Sequence, residues 1–494
     1  MKNQKYYSVD LHIGLLLLLG LSFPVLAHAL PGGKKKGKGP VEIIILHTND
    51  IHSKIDNMGK LAYLADSLER THPFVFLVSA GDNFTGNPVV DMVEEKGYPM
   101  IDLMNRCGFN ASAIGNHEFD MGQEMLNHRV EQANFPFICA NIDASEAVFH
   151  QPPPYTILKA GKKVKIALLG LIQVNTNGLP DSHPDKLKGL KFMDYSEVLP
   201  KWKHLRDKNQ VFIGLTHLGL ETDNELARKM PELDLIIGGH SHDLIDSVHI
   251  VYGVLITQSG SGLRNIGKIT ILVKGGKVIE KKDEEISVIK LNRTDPEIQK
   301  QIDLYNNNQQ FARVVAMAKN EVRGDDQLGS MMTDAITQQL NLDIAFQNVG
   351  GIRVSALNPG NITLKDLYKL DPFGNKIVVF KLTPVQIQSL ILNAYNRENS
   401  VDLMVSGITY KITVGEDGKA VNVEVKNASG NPLDKTKTYS VGMNSYMAST
   451  YTFEHSGQGT TLDKTCVQAL IDFLDFKKII DYSGVKRVSV IHMP

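Results

Sequence analysis

The sequence predicts an α/β (α+β) layered fold laid out in two successive units. Three observations carry that reading. From Val41 to about Leu291, short apolar runs rich in β-branched residues alternate with segments of helical periodicity, the pattern of layered α/β or α+β domains. Several of these runs, Ile43-Ile44-Ile45-Leu46 among them, are apolar without alternation, which suits strands covered on both faces. From about Lys319 a second α/β pattern begins, and 494 residues of 42% hydrophobic and 22% charged composition suffice for two or three domains with cores of their own.

The N-terminus reads as targeting. Lys2 and Lys5 precede an apolar run from Ile13 to Leu26, and Ala27-His28-Ala29 fits a small-residue cleavage site. Pro24 argues against a buried helix, so residues 1–29 are expected to be a signal peptide cleaved after Ala29. Residues 30–40, with four lysines between Gly32 and Gly39, read as a flexible leader. No later run is long enough to span a membrane, and Ser489–Pro494 offers no hydrophobic tail. A soluble periplasmic or secreted protein without a stable membrane anchor is therefore expected. The net charge of −1, from 53 basic and 54 acidic residues, argues against a nucleic-acid partner and requires any phosphate binding to come from a local site. Three cysteines, Cys107, Cys139 and Cys466, are a poor disulfide framework for so long a chain. A Cys107–Cys139 bridge and buried free thiols are both open, as is the oligomeric state.

The first unit's strands are expected at Val41–Leu46, Phe74–Val78, Ala111–Ile114, Phe135–Ala140, Lys165–Leu169, Val211–Leu215 and Leu233–Ile237. Ile269–Val273, the Gly275-Gly276 turn and Val278–Ile279 read as an antiparallel hairpin. Asp295 to about Ala316 reads as a joining helix, with Pro296 at its first position. In the second unit a helix is expected around Gly329–Gln339, with strands at Ile344–Phe346 and Lys376–Leu382. A helix opened by Thr383-Pro384 follows, then strands at Gly407–Thr413 and Val421–Lys426.

Hard metal ligands stand at one end of these strands. Asp50 and His52 follow the first strand, Asp82 the second, Asn116-His117-Glu118 the third, His217 the strand Val211–Leu215, and His240 and His242 the strand Leu233–Ile237. Any one of these alone is an ordinary turn or cap residue. All of them together, at the C-terminal ends where α/β folds gather their ligands, predict one cleft. Imidazole and carboxylate donors suit borderline divalent ions such as Zn or Mn. Seven ligands exceed what one such ion with an open position takes, but fit two ions sharing a carboxylate, an arrangement that clamps an in-line phosphoester displacement.

Leu46-His47-Thr48-Asn49-Asp50-Ile51-His52, Gly81-Asp82-Asn83, Gly115-Asn116-His117-Glu118-Phe119-Asp120, Thr216-His217-Leu218-Gly219 and Gly239-His240-Ser241-His242 resemble the calcineurin-like metallophosphatase domain of the 5′-nucleotidase family. The resemblance implies a four-layer β-sandwich flanked by helices over 41–294, a linker helix over 295–318 and a substrate-binding α/β domain over 319–494. It implies that Asp50, His52 and His242 hold one divalent ion, that Asn116, His217 and His240 hold the other, and that Asp82 bridges them. His117 becomes the catalytic imidazole, oriented by Asp120, and the nucleophile a metal-bound hydroxide with no phosphoenzyme. Three positions apart at a helix start, a carboxylate can reach the ring and favour its protonated form.

In the second unit Asn348-Val349-Gly350-Gly351-Ile352-Arg353 pairs glycines that admit close backbone approach with an arginine fork suited to phosphate. It is similar to the family's substrate element, in which Asn and Arg face the nucleotide, and Arg323 is a looser candidate for the same clamp. Phe373, in Asp371-Pro372-Phe373-Gly374-Asn375, matches the aromatic that stacks on the base. The second stacking ring is assigned to Phe453, with Tyr451 as the alternative, because Ser449-Thr450-Tyr451-Thr452-Phe453 departs from the family's Gly-Gly-Asp-Gly-Phe. The implied function is 5′-nucleotidase action on nucleoside 5′-monophosphates. The alternatives are UDP-sugar hydrolysis, 2′,3′-cyclic nucleotide phosphodiesterase with 3′-nucleotidase action, or, from another class, non-catalytic nucleotide binding.

Overall fold

The computed structural model describes residues 39–493, and Pro40–Pro494 form one compact unit. The expected signal peptide, its cleavage site and all but the end of the leader lie outside the described residues. Among the described residues no helix is long and apolar enough to cross a membrane, and the three cysteines are buried and unbridged.

Two six-stranded sheets form the first half. One runs in the order Lys277–Ser287, Asn265–Lys274, Val41–Thr48, Val75–Ser79, Ala111–Ala113, Phe137–Ile138. The other runs His249–Val251, Val254–Thr257, Leu235–Ile237, Val211–His217, Val164–Ile172, Tyr155–Ala160. Within each sheet the central strands are parallel, and an antiparallel strand closes both edges of the second and the hairpin edge of the first. Unbroken apolar runs are explained by what lies on each face. Ile43, Ile45, Val78, Ile166, Leu168, Ile213, Leu215 and Ile237 pack between the two sheets. Their neighbours turn outward: Leu46, Leu77 and Ile114 meet helices on one side, and Leu169, Phe212 and Ile236 meet helices on the other. The layers are helix, sheet, sheet, helix, as expected.

The hairpin is longer than its apolar core suggested, Asn265–Lys274 with Lys277–Ser287. His47, Gly267 and Glu285 occupy one row across its strands. Gly267 admits the ring of His47, since a Cβ there would stand 1.9 Å from its Nε2. Ser259 Oγ lies 3.3 Å from His47 Nδ1 and donates to Glu285 Oε1 at 3.0 Å. Burial pushes the Glu285 carboxyl up to about 8.

The joining helix differs from its expectation. It spans Pro296–Asn306, with Asp295 accepting the N–H groups of Glu297 and Ile298, and ends about ten residues before Ala316. Three consecutive asparagines, Asn306 to Asn308, are weak helix formers. The Asn308 side chain caps a separate turn at Gln309–Phe311, and Val314–Ala318 becomes a strand against Gly360–Thr363. Ile298 and Ile302 anchor the helix in the first half's core.

In the second half a five-stranded sheet runs Leu403–Ser406, Ile344–Asn348, Tyr439–Asn444, Lys376–Leu382, Thr460–Thr465. The helices Gly324–Leu340, Pro384–Glu398 and Cys466–Lys477 accompany it. Thr383 opens the second of these with a capping box to Gln386, as Thr-Pro followed by Gln dictates.

Candidate metal centre

Five parallel strands from both sheets end in loops that interlock. Asp50 N donates to Gly81 O at 3.0 Å, His52 N to Asp82 O at 3.0 Å, and Gly219 N to Gly239 O at 3.0 Å. Asp50, His52, Asp82, His240 and His242 all have positive φ, between 50° and 82°. Left-handed backbone at five non-glycine positions is strained, and such strain concentrates where side chains must converge for function.

The side chains fall into two groups. Asp50, His52 and His242 bring ligand atoms within 4.8 Å of one another, and the Nε2 atoms of His52 and His242 face each other at 3.0 Å. Asn116 Oδ1 lies 3.2 Å from His217 Nε2 and 3.1 Å from His240 Nδ1. Asp82 Oδ2 stands between the groups, 3.0 Å from His217 Nε2 and 4.0 Å from His52 Nε2. His217 is fixed by its other nitrogen, which lies 2.8 Å from Ala80 O, so Nε2 is the one presented.

Asp50 and Asp82 are buried to within 1%. Burial raises the Asp82 carboxyl, but His217, His117 and His52 outweigh it and hold it well below the ordinary range. Burial would depress His217, yet Asp82 and Asp50 push it up to about 10. A buried carboxylate pair needs positive charge, and imidazole nitrogens converging with carboxylate oxygens are the donor set of a borderline cation. These residues fit two divalent ions, and the chain has a dinuclear metal site.

Beside it, His117 Nδ1 meets Asp120 Oδ2 at 2.7 Å, and its Nε2 is 3.9 Å from Asp82 Oδ2. Burial would lower this imidazole, but Asp120 and Asp82 raise it above its usual value. From the second half, Arg353 Nη2 reaches within 3.0 Å of His52 Nε2. The Phe373 ring lies 5.7 Å from that of His117 and 5.7 Å from the Arg353 guanidinium.

Other expected substrate residues are placed differently. Asn348 is buried, with its Oδ1 accepting from Asn444 Nδ2 at 2.8 Å. Gly351 is needed because a Cβ would stand 2.1 Å from Gln347 Nε2, whereas Gly350 meets only Asn348 at 3.5 Å. Arg323 is exposed and pairs with Glu321. Phe453 is buried in the core, its ring 5.4 Å from Phe380 and 4.6 Å from His455. Tyr451 instead lies under the Arg397 guanidinium at 4.9 Å and donates to Asp402.

Sequence reasoning gave Glu118 no role of its own. Its carboxylate accepts the N–H groups of Asp82, Asn83 and Gly115 at 3.0, 2.7 and 2.6 Å, binding two ligand loops together. Burial, then the Asp82 charge, push it up to about 7. Its place between Asn116-His117 and Phe119 was visible, but its direction was not.

A family model for calcineurin-like phosphoesterases matches residues 43–244, and one for the 5′-nucleotidase C-terminal domain matches residues 307–453. The chain belongs to the 5′-nucleotidase family of calcineurin-like phosphoesterases. Among family relatives, the 5′-nucleotidase of Vibrio cholerae is 26% identical over 88% of this chain and 90% of its own length. The endonuclease YhcR of Bacillus subtilis is 27% identical over 84% of this chain. The chain spans 38% of YhcR and 32% of the trifunctional nucleotide phosphoesterase YfkN, about a third of each. A 5′-nucleotidase precursor from Thermus thermophilus superposes with a TM-score of 0.80 at 25% identity, covering 92% of this chain and 100% of that one.

Proposed function

We propose that the chain is an exported metal-dependent phosphohydrolase that converts nucleoside 5′-monophosphates to nucleoside and phosphate. The observation that carries this is Asp82 standing between two ligand groups with His117 and Arg353 beside them. In this reading Asp50, His52 and His242 hold one ion, Asn116, His217 and His240 the other, and Asp82 serves both. Bound there, two ions supply Lewis acidity to a water nucleophile and to the phosphoryl oxygens.

The remaining work belongs to side chains. Arg353 offers a planar fork to the phosphoryl oxygens. Asp120 holds the proton on His117 Nδ1, so that Nε2–H faces the reacting phosphoryl group and donates to it or to the leaving alcohol. Phe373 provides a face for the base, a contact tolerant of base identity. Residues 41–294 form the metal-bearing domain, 295–318 the linker and 319–494 the substrate domain. Residues 1–29 act as a signal peptide cleaved after Ala29, with 30–40 left at the mature N-terminus, which N-terminal sequencing of the mature protein checks.

The test is phosphate release from AMP by metal-stripped protein, with Mn or Zn added back and His117→Ala as control. Metal-dependent release that falls about 10²–10⁴-fold in the variant supports the reading. Phe453 buried in the core favours a second reading in which the ester differs, so UDP-glucose and 2′,3′-cyclic AMP are assayed in parallel. Release from one of these and none from AMP moves the substrate assignment and leaves the metal site standing.

A further inference from the structure

A loop carboxylate outside the proposed ligand set ties that set to the second half of the chain. Asp181 follows the strand Val164–Ile172 in a loop pinned at its base. Gln173 N donates to His217 O at 2.8 Å, and Asp181 N donates to Gln173 Oε1 at 3.1 Å. From that fixed place Asp181 reaches two of the ligands. Its backbone carbonyl accepts Asn116 Nδ2 at 2.9 Å, which turns Asn116 Oδ1 toward His217 and His240. Its Oδ2 lies 3.7 Å from His240 Nε2. The adjacent Ser182 Oγ donates to Asp120 Oδ1 at 3.4 Å.

The two carboxylate oxygens are used differently. Oδ1 accepts from Asn175 Nδ2 at 2.8 Å, from Arg397 Nη2 at 3.3 Å and from Tyr446 OH at 3.3 Å. Arg397 and Tyr446 come from the helices Pro384–Glu398 and Ser445–Thr450. With Oδ1 so occupied, Oδ2 is left for His240. A ligating histidine needs one bare nitrogen and the other protonated and held by an acceptor. His240 Nδ1 is the nitrogen on the ligand side, 3.1 Å from Asn116 Oδ1; with an ion held there the ring proton would sit on Nε2, which faces Asp181.

We propose that Asp181 is a positioning residue for the ion at the Asn116–His217–His240 end, and that Arg397 and Tyr446 hold its carboxylate in place. Affinity for that ion is thereby coupled to seating of the C-terminal half on the metal-bearing half. This rests on the ligand assignment under Proposed function.

The test titrates Mn into metal-stripped, full-length mature protein by competition with a chelator, reading the affinity of each equivalent. Asp181→Asn is isosteric, on a side chain 28% exposed. It should weaken one of two equivalents by about 10- to 100-fold and leave the other near wild type, with the melting curve of the metal-free form unchanged. Arg397→Met should weaken the same equivalent by a smaller factor. Wild-type affinity for both equivalents in Asp181→Asn refutes the positioning role. A loss there with Arg397→Met at wild-type affinity refutes the coupling. If Asp181→Asn does not fold, Arg397→Met decides alone. Wild-type protein that binds two ions but releases no phosphate from nucleotides overturns the proposed function and leaves this inference intact; one that binds fewer than two overturns both.

Discussion

Replacing Gly115 with alanine isolates the tolerance of the metal centre to a single methyl group. Gly115 is absent from the residues with positive φ, so its backbone accepts alanine and the effect is steric. The added Cβ would stand 2.3 Å from Asp82 Oδ1, 2.7 Å from Asp82 N and 2.9 Å from His217 Nε2. None of these atoms ends a flexible side chain that can swing away. Asp82 Oδ1 also accepts His117 N–H at 2.9 Å, and Gly115 N is held by Glu118. Ordinary contact requires Asp82 to retreat by about 1 Å, a displacement that costs about 10²-fold in rate at a reacting centre. Overpacking of this kind also removes about 1–3 kcal/mol of stability. The expected result is a folded protein with a lower melting temperature, reduced metal content and a rate of phosphate release from AMP down by about 10²-fold. A variant that keeps its metals and stays within about threefold of the wild-type rate, under 1 kcal/mol in barrier, refutes the reasoning.

Four further substitutions follow from the same structure. Asp120→Asn removes the neighbour that raises His117, so the imidazole loses its proton at lower pH. The basic limb of the rate profile should then move toward acid, and an unmoved limb counts against His117 as the proton donor. Phe453→Ala, emptying a ring packed on Phe380, should cost about 3–5 kcal/mol of stability. Tyr451→Ala should instead raise KM for the nucleotide with a smaller change in melting, and the reverse pattern would return Phe453 to the substrate pocket. Glu285 is raised from 4.5 to about 8 by burial, so the folded state binds its proton more tightly than the unfolded chain. Its contribution is present in full below about pH 4.5 and is lost as pH rises toward 8. Glu285→Gln should flatten that decline in thermal melts between pH 5 and 8, and parallel curves would show that the carboxyl is ionised in the fold.

The layers were legible because burial on both faces leaves a direct mark on composition. Ile43 to Leu46 carries no polar residue, and the structure packs alternate members of that run into different layers. The ligand loops were legible for a different reason: Asp, Asn or His after one apolar strand is an ordinary turn residue, but five strands ending so at one edge point to a shared site. The joining helix was misjudged because weak periodicity continues through Asn306–Asn308, where the end is decided by local asparagine capping and by pairing of Val314–Ala318 with a strand more than forty residues later. Phe453 was assigned to the substrate by motif position, yet its ring is taken up by Phe380, a neighbour in space only.

By itself, the sequence determined the layered α/β fold class, the donor chemistry of the site and the family, because these depend on residue type at regular local spacing. Only the tertiary structure decided that Asp82 stands between the two ligand groups, that Glu118 binds their loops together, and that Asp181 and Arg353 meet the histidines from opposite halves of the chain. Such contacts depend on where distant segments cross, and a carboxylate that ties two loops looks the same in sequence as one that faces water.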